Sequence, residues 1–146
     1  MTEVEDGLEQ IPEPPEGFQR SGSRGEFSSR NGPYFHRVQD EGAAQCFFAL
    51  PRHANGLGLV HGGMLTAFLD GLLASAVFRK TQKVAVTIHL SVDFLHMARM
   101  GDWVMGEAHV TRATNDVAFV EGRAYVGGRD VVRASGIFKL MHRKAD

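Results

Sequence analysis

The spacing of hydrophobic residues along the chain changes near residue 82. Residues 62–79 are apolar on nearly every face of a helix, which is typical of a helix buried on all sides. From residue 84 onward, apolar and polar residues alternate, which predicts half-buried strands. Turn residues interrupt this alternation at positions 101–102, 115–116 and 127–130. The pattern therefore predicts one long buried helix followed by four antiparallel strands.

Each predicted strand has an inner face of apolar residues. In the first strand, the alternation assigns to this face Val84, Val86, Ile88, Leu90, Val92 and Phe94. Small residues recur on the inner faces of the other three strands, among them Gly106, Ala108, Gly122, Ala124, Ala134 and Gly136. Because small residues allow a close approach of the backbone, we expect the sheet to curve tightly around the buried helix.

The chain before the helix divides near residue 30. Residues 1–30 are predicted to form an arm without regular packing, because three prolines and a stretch rich in serine and glycine interrupt it. Two strands are expected after it, near residues 35–38 and 43–50. The expected fold class is α+β, with a curved antiparallel sheet wrapped around one buried helix in a single domain of residues 31–146.

Composition excludes several classes of protein. A chain of 146 residues suits one domain, and a formal net charge of −1 is unlike that of a dedicated nucleic-acid binder. One cysteine, Cys46, excludes an internal disulfide and a cysteine-based zinc site, and the histidines lack ligand spacing, so no metal is expected. The N-terminus lacks a secretory pattern and polar residues interrupt the apolar stretch of residues 62–78, so we expect a cytoplasmic protein without a membrane span.

The small net charge conceals an uneven distribution of charge. Residues 1–16 contain six acids and no base, so the rest of the chain holds 11 acids and 16 bases, a net charge of +5. An acidic arm therefore masks a basic body, which could attract a small anionic ligand.

Asp70 is the first candidate for chemistry, because it lies in the middle of the apolar helix. Its neighbours one turn away include no cation, so no ion pair within the helix can satisfy it. Burying an unpaired carboxylate costs several kcal/mol. Asp70 could emerge at a subunit surface or cap a buried polar group, or it could serve as a general base or a nucleophile.

The second candidate is the tripeptide His61–Gly62–Gly63 at the start of the helix. Amides of a first helical turn have no partner within the helix and are partly positive, and glycines let a substrate oxygen approach them. The tripeptide could form an oxyanion site or a tight turn needed for packing. Asp70 follows Gly62 by eight residues, roughly 12 Å of helical rise, so if the two groups act together, we expect Asp70 to come from a neighbouring subunit.

At this point the sequence resembles a known family. Residues 55–70, NGLGLVHGGMLTAFLD, are similar to the signature of hotdog-fold acyl-CoA thioesterases of the PaaI type, in the 4-hydroxybenzoyl-CoA thioesterase-like superfamily. The resemblance continues through residues 86–95, VTIHLSVDFL, and also includes the shorter matches at 32–33, 101–103 and 133–136. It covers roughly residues 32–141 and is more specific for the fold and family than for the substrate.

The resemblance implies a role for each matching residue. It implies that the Gly62 amide polarises the thioester carbonyl and that Asp70 of the partner subunit acts as base or nucleophile. Asn55 and Thr87 match residues that hold the attacking water, and His61 matches one that supports the carbonyl or the loop. Gly63 and Val86 are expected to contact substrate. The implied activity is hydrolysis of an acyl-CoA to the free acid and coenzyme A, without a cofactor, by a dimer or a dimer of dimers (a homotetramer).

Two other functions remain open at this stage. A hotdog hydratase or dehydratase would pair a histidine with a carboxylate, for which His61 is available, although Asn55 and the spacing from Gly62 to Asp70 favour hydrolysis. A non-catalytic acyl-CoA binding or sensing module would keep the pocket without needing Asp70. His89, Ser91 and Asp93 alternate on one strand, and a catalytic triad needs residues from different elements, so they are expected to form a polar or interface face.

Overall fold

The computed structural model describes residues 9–22 and 24–142, which form a seven-stranded antiparallel sheet and two α-helices. The strands are β1 (Gln19–Arg20), β2 (Phe35–Arg37), β3 (Ala43–Phe48), β4 (Ala85–Phe94), β5 (Trp103–Ala113), β6 (Val117–Val126) and β7 (Arg129–Leu140). The helices are α1 (Glu26–Asn31) and α2 (Gly62–Thr81), and a 3₁₀ turn spans Pro51–His53. The order of strands in the sheet is β1-β2-β3-β5-β6-β7-β4, so β4 lies at an edge.

Helix α2 is the centre of the core, as predicted. It packs against β3, β4, β5, β6 and β7, and eight of its side chains are buried. The helix is also long and apolar enough to cross a membrane, but here it lies against the sheet. It begins at Gly62, as expected, and ends at Thr81, where Gln82 adopts a left-handed conformation and its amide donates to the Phe78 carbonyl.

Glycines on the inner face of the sheet allow α2 to lie close to it. A β-carbon added at Gly106 would lie 2.7 Å from Leu72 Cδ2, and one added at Gly122 would lie 2.8 Å from Leu73 Cδ1. Such contacts are far closer than packed carbon atoms allow. The prediction that small residues line β5, β6 and β7 opposite the helix is therefore confirmed.

The inner face predicted for β4 is wrong over half its length. Four of the six predicted inner side chains are instead exposed, by 53% to 66%: Val84, Val86, Ile88 and Phe94. Between Thr87 and His89 the pairing with β7 shifts, so that Ile88 is an extra residue. A bulge of this kind reverses the alternation. Thr87 thus faces α2 before the bulge, and Leu90 and Val92 are partly buried after it.

Regular structure begins earlier than predicted. Strand β1 pairs with β2, and α1 follows it, so the expectation of irregular structure throughout residues 1–30 is wrong for these two elements. Glu9 forms an ion pair of 3.0 Å with Arg52, which ties this segment to the domain. Residues 1–8, where three of the six acids of the arm lie, are outside the described residues. The domain boundary at residue 30 stays a prediction.

Candidate active site

The Asp70 carboxylate faces β4 and is held by a hydroxyl. Thr87 Oγ1 donates a hydrogen bond of 2.6 Å to Asp70 Oδ1, and both side chains are partly buried. The helix supplies no cation, as the sequence indicated, but the strand supplies a neutral donor. The bulge after Thr87 makes this contact possible, because without it the threonine could not share a face with Ala85 while Leu90 also faces inward.

The start of α2 leaves one backbone amide free. His61 caps the helix, since its Nδ1 accepts a hydrogen bond of 2.8 Å from the Gly63 amide. The Met64 and Leu65 amides donate to the His61 carbonyl, at 2.9 and 3.1 Å. Within residues 9–22 and 24–142, the Gly62 amide has no acceptor. It is therefore the group of this first turn that is available to an anionic oxygen.

The capping contact also defines what His61 can do. Because Nδ1 accepts a hydrogen bond, the ring proton of the imidazole is assigned to Nε2. The backbone of the same residue donates to the His53 carbonyl at 2.9 Å. Both contacts support the loop, which is one of the two roles that the resemblance implies.

Asn55 organises the loop that leads into α2. Its Oδ1 accepts hydrogen bonds from the Leu57 and Leu59 amides, at 2.9 and 3.2 Å, and its own amide donates to the Leu59 carbonyl at 2.8 Å. The side-chain oxygen is thus used within the loop, and Nδ2 is the group that remains for a ligand. A donor of this kind binds water through the water oxygen and leaves the water protons for a base.

Asp70 lines a cavity of about 460 Å³ between α1, α2 and the sheet. Its walls are partly apolar and partly polar, and they include Phe27, Phe68, Leu90, Arg24, Tyr34 and Gln45. Gly63, a predicted substrate contact, also lines the cavity, whereas Gly62, Asn55 and Val86 do not. Arg24 and Asp70 are the only charged side chains that line it among the described residues. One protomer therefore holds the carboxylate in a cavity but keeps the free amide elsewhere.

Some residues around the site were missed by the sequence analysis. His53 is buried, its Nδ1 accepts from the Leu50 amide at 3.1 Å, and its Nε2 lies 2.6 Å from the Asn31 carbonyl oxygen. Burial lowers the pKa of this imidazole, so it stays neutral at pH 7. Through these side-chain contacts, and through its carbonyl, which accepts from the His61 amide, His53 fixes the loop that carries Asn55 and His61. Arg24, Tyr34 and Gln45 were also missed, although Gln45 is a polar interruption in an apolar strand and could have signalled a site.

Other reactive groups lie away from this cavity or are inert. Burial raises the pKa of the Cys46 thiol to about 12, so it is not a thiolate near neutral pH. Ser91 and Asp93 line a second cavity of about 460 Å³ on the outer face of the sheet. There Arg123 pairs with Asp130 and Glu107, at 2.5 and 3.3 Å. Among the described residues, no three side chains of the types His, Cys, Asp or Glu are grouped to hold a metal ion.

Comparisons with known proteins agree with this architecture. Residues 57–133 match the family model of the Thioesterase superfamily. A Pseudomonas aeruginosa protein named as a candidate esterase, PA0474, is 36% identical over 131 residues, which cover 86% of this chain and 96% of that protein. The E. coli PaaI protein, from the phenylacetic acid degradation operon, aligns with a TM-score of 0.74 at 19% identity over 80% of this chain and 86% of that one.

A further solved structure carries a ligand. A candidate thioesterase of Streptococcus pneumoniae, solved with coenzyme A, aligns with a TM-score of 0.70 at 15% identity over 88% of this chain and 98% of that one. Together with the curved sheet around α2, these alignments confirm the predicted hotdog fold. With a family match over more than half of its length and a relative 36% identical, this chain belongs to the Thioesterase superfamily.

Proposed function

We propose that the protein hydrolyses acyl-CoA thioesters to the free acid and coenzyme A, and that each active site is built by two copies of the chain. The observation that carries the proposal is the separation of two complementary groups on one helix. The free Gly62 amide lies at the start of α2, and Asp70 lies eight residues later, roughly 12 Å along the axis. A second copy can bring its own Asp70 to this amide.

The proposed reaction uses water as the second substrate. The thioester carbonyl oxygen accepts a hydrogen bond from the Gly62 amide, where the helix dipole stabilises the negative charge that develops on it. Asp70 of the partner subunit takes a proton from water as the water oxygen attacks the carbonyl carbon. The tetrahedral intermediate then collapses with cleavage of the C–S bond, and the leaving coenzyme A thiolate takes up the proton held by Asp70, which regenerates the carboxylate.

Two polar residues support these steps. Thr87 donates to Asp70 Oδ1, which fixes the carboxylate and leaves Oδ2 for the water. Asn55 offers Nδ2 to the oxygen of the same water, since its Oδ1 is used within the loop. Direct attack by Asp70 on the carbonyl carbon is the alternative step. The chemistry needs no metal or organic cofactor in either form.

The edge of the sheet supports the assembly of two copies. In the part of the chain that the structure describes, β4 pairs with β7 on one side only, and its exposed side chains include Val86 and Ile88. An exposed apolar edge strand favours pairing with another chain. In the proposed dimer, β4 meets β4 of the second copy and Val86 lies in the seam near the substrate. Two such dimers could associate further, in a cytoplasmic homotetramer.

Coenzyme A is the proposed carrier of the acyl group for two reasons. The chain beyond residue 16 has a net charge of +5, which attracts the phosphates of this ligand. A protein of similar fold has also been solved with coenzyme A. A hydratase mechanism through His61 is less compatible with the site, because Nδ1 of that imidazole caps α2.

The test is thiol release from a panel of acyl-CoA substrates by the wild type and by Asp70→Asn. A positioned base contributes roughly 10²- to 10⁴-fold to the rate, so we expect the variant to lose at least about a hundredfold in kcat. Asp116→Asn is the matched control, since this carboxylate is 78% exposed in the turn between β5 and β6, and it should keep the wild-type rate. Unchanged turnover in Asp70→Asn would remove the catalytic assignment. Tight binding without turnover by the wild type would instead identify a binding module.

A further inference from the structure

Arg24 is anchored beside the Asp70 cavity by two polar side chains. Its Nη1 donates a hydrogen bond of 2.9 Å to Ser75 Oγ on α2. With the Gln45 amide oriented so that its oxygen faces the arginine, Oε1 lies 2.7 Å from Arg24 Nη2 and 2.8 Å from Ser75 Oγ. Gln45 is 4% exposed, so this amide is a buried group of the core. The three side chains form a closed triangle that holds the guanidinium in place.

The charge of Arg24 is not neutralised by the described residues. None of their carboxylates lies within 4.0 Å of its guanidinium, although other arginines of the chain, such as Arg30, Arg52 and Arg123, have such partners. Partial burial lowers the pKa of Arg24, yet an arginine stays charged at neutral pH. Five N–H donors are present and its two partners use only some of them, so donors remain for an anionic oxygen.

The surroundings of Arg24 are positive rather than mixed. The Asp70 cavity shares part of its lining with a neighbouring cavity of about 520 Å³. The residues that line both are Arg24, Ser28, Gln45 and Gly71. Arg37 and Arg79 also line this neighbouring cavity, and no acidic side chain among the described residues does. Asp70 is thus the only carboxylate that lines either of these two cavities within the described part of the chain.

Arg24 lies beside the C-terminal half of α2, and this position limits which part of a substrate the arginine can reach. Ser75, which holds the guanidinium, follows Asp70 by five residues, roughly 7.5 Å of helical rise. In the proposed reaction, the thioester carbon lies at Asp70. The phosphates of coenzyme A are separated from that carbon by the whole pantetheine arm, which is much longer than this distance. An anionic group that meets Arg24 therefore belongs to the acyl part.

We propose that Arg24 is a specificity residue that binds a carboxylate at the far end of the acyl group, so that the preferred substrates are thioesters of short dicarboxylic acids. The proposal rests on the proposed function and deepens it. Phe27, Phe68 and Leu90 contact the methylene chain between the two carboxyl carbons. The guanidinium binds the terminal carboxylate with the fork geometry that suits this group.

The test compares adipyl-CoA with hexanoyl-CoA, which have acyl chains of equal carbon number and differ in the terminal carboxylate. We expect the wild type to favour adipyl-CoA about tenfold or more in kcat/KM, the ratio expected of one charge-assisted hydrogen bond. In Arg24→Gln this ratio should fall to about one, through loss of the adipyl-CoA rate alone. Arg30→Gln is the matched control, because Arg30 is an exposed cation of α1 outside the cavity, and it should keep the wild-type ratio.

Three outcomes would overturn the inference. The first is a ratio near one in the wild type. The second is an equal loss on both substrates in Arg24→Gln, which would make Arg24 a positioning residue for Asp70. The third is an effect of Arg24→Gln that disappears with pantetheine thioesters, which lack the nucleotide, because the arginine would then bind a coenzyme A phosphate.

The inference can be separated from the proposed hydrolysis. Dissociation constants of adipyl-CoA and hexanoyl-CoA are measured on Asp70→Asn and on the double variant with Arg24→Gln, where turnover plays no part. Preference for adipyl-CoA in the first protein and its loss in the second would support the role of Arg24 even if no thioester were hydrolysed. Equal affinity for both ligands on Asp70→Asn would overturn it.

Discussion

At the scale of single residues, the candidate site depends on one amide and one carboxylate. Among the described residues, the Gly62 amide alone in the first turn has no acceptor, since the His61 side chain accepts from the Gly63 amide and the His61 carbonyl accepts from the next two amides. Asp70 is held by Thr87 and not by a cation. The sequence predicted both Gly62 and Asp70 from physical arguments, whereas the contact with Thr87 depends on a bulge that the alternation does not reveal.

Removing the Gly62 amide tests its role directly. Gly62 is the first residue of α2, a position where proline is favoured and lacks only an N–H that has no partner in the helix. His61 has φ −60° and ψ 135°, which suits the residue before a proline. We expect Gly62→Pro to fold and to lose about 10²- to 10³-fold in kcat, the effect of one oxyanion donor, in a thiol-release assay.

Gly62→Ala is the matched comparison for this variant. An added β-carbon at this position would lie 3.4 Å from the Phe94 ring in either case, but alanine keeps the amide. The difference in rate between the two variants therefore reports the N–H alone. Equal rates would show that the amide does not contact the reacting oxygen.

At the scale of elements, the hydrophobic pattern predicted α2 correctly but assigned the wrong inner face to much of β4. The helix could be predicted to within two residues of its end, since its apolar residues cover nearly all faces and Gly62 marks its start. The faces of β5, β6 and β7 also followed from alternation. The buried face of β4 did not follow from alternation, because one extra residue exchanges the inward-facing and outward-facing positions after it. The exposed edge of β4 also carries apolar residues, which in sequence resemble those of a core. Arg24 was missed because its partners, Ser75 and Gln45, are distant in sequence.

The exposed edge of β4 leads to a prediction about assembly. Ile88 is 58% exposed in one protomer, so Ile88→Lys should not unfold it, as circular dichroism can verify. The lysine would place a charge in the proposed seam and oppose pairing of edges. We expect a monomer in analytical ultracentrifugation, with loss of thiol release. Val38→Lys, at a site 69% exposed outside β4, should leave assembly unchanged, and a persistent dimer in Ile88→Lys would exclude this edge as the seam.

At the scale of the whole molecule, one domain supplies the core while two chains are proposed to supply each site. Mixing Asp70→Asn with Gly62→Pro tests this arrangement, because a mixed dimer holds one intact carboxylate opposite one intact amide. Random exchange should restore about a quarter of the wild-type activity, since half of the dimers are mixed and each has one complete site of two. No recovery after subunit exchange, verified by tagged chains, would mean that each chain works alone.

The close approach of Gly106 and Gly122 to α2 has a consequence for how this protein could acquire new substrates. These glycines hold the sheet against α2, where an added side chain would collide with Leu72 or Leu73, and neither glycine lines the Asp70 cavity. Arg24, Phe27 and Ser28, in contrast, line the Asp70 cavity from a short segment with no buried residue, in which Arg24 and Phe27 are exposed and Ser28 is partly buried. Replacement of that segment is compatible with an unchanged packing of α2 on the sheet. Substrate range in this protein can therefore change through the N-terminal segment while the folding core remains constant.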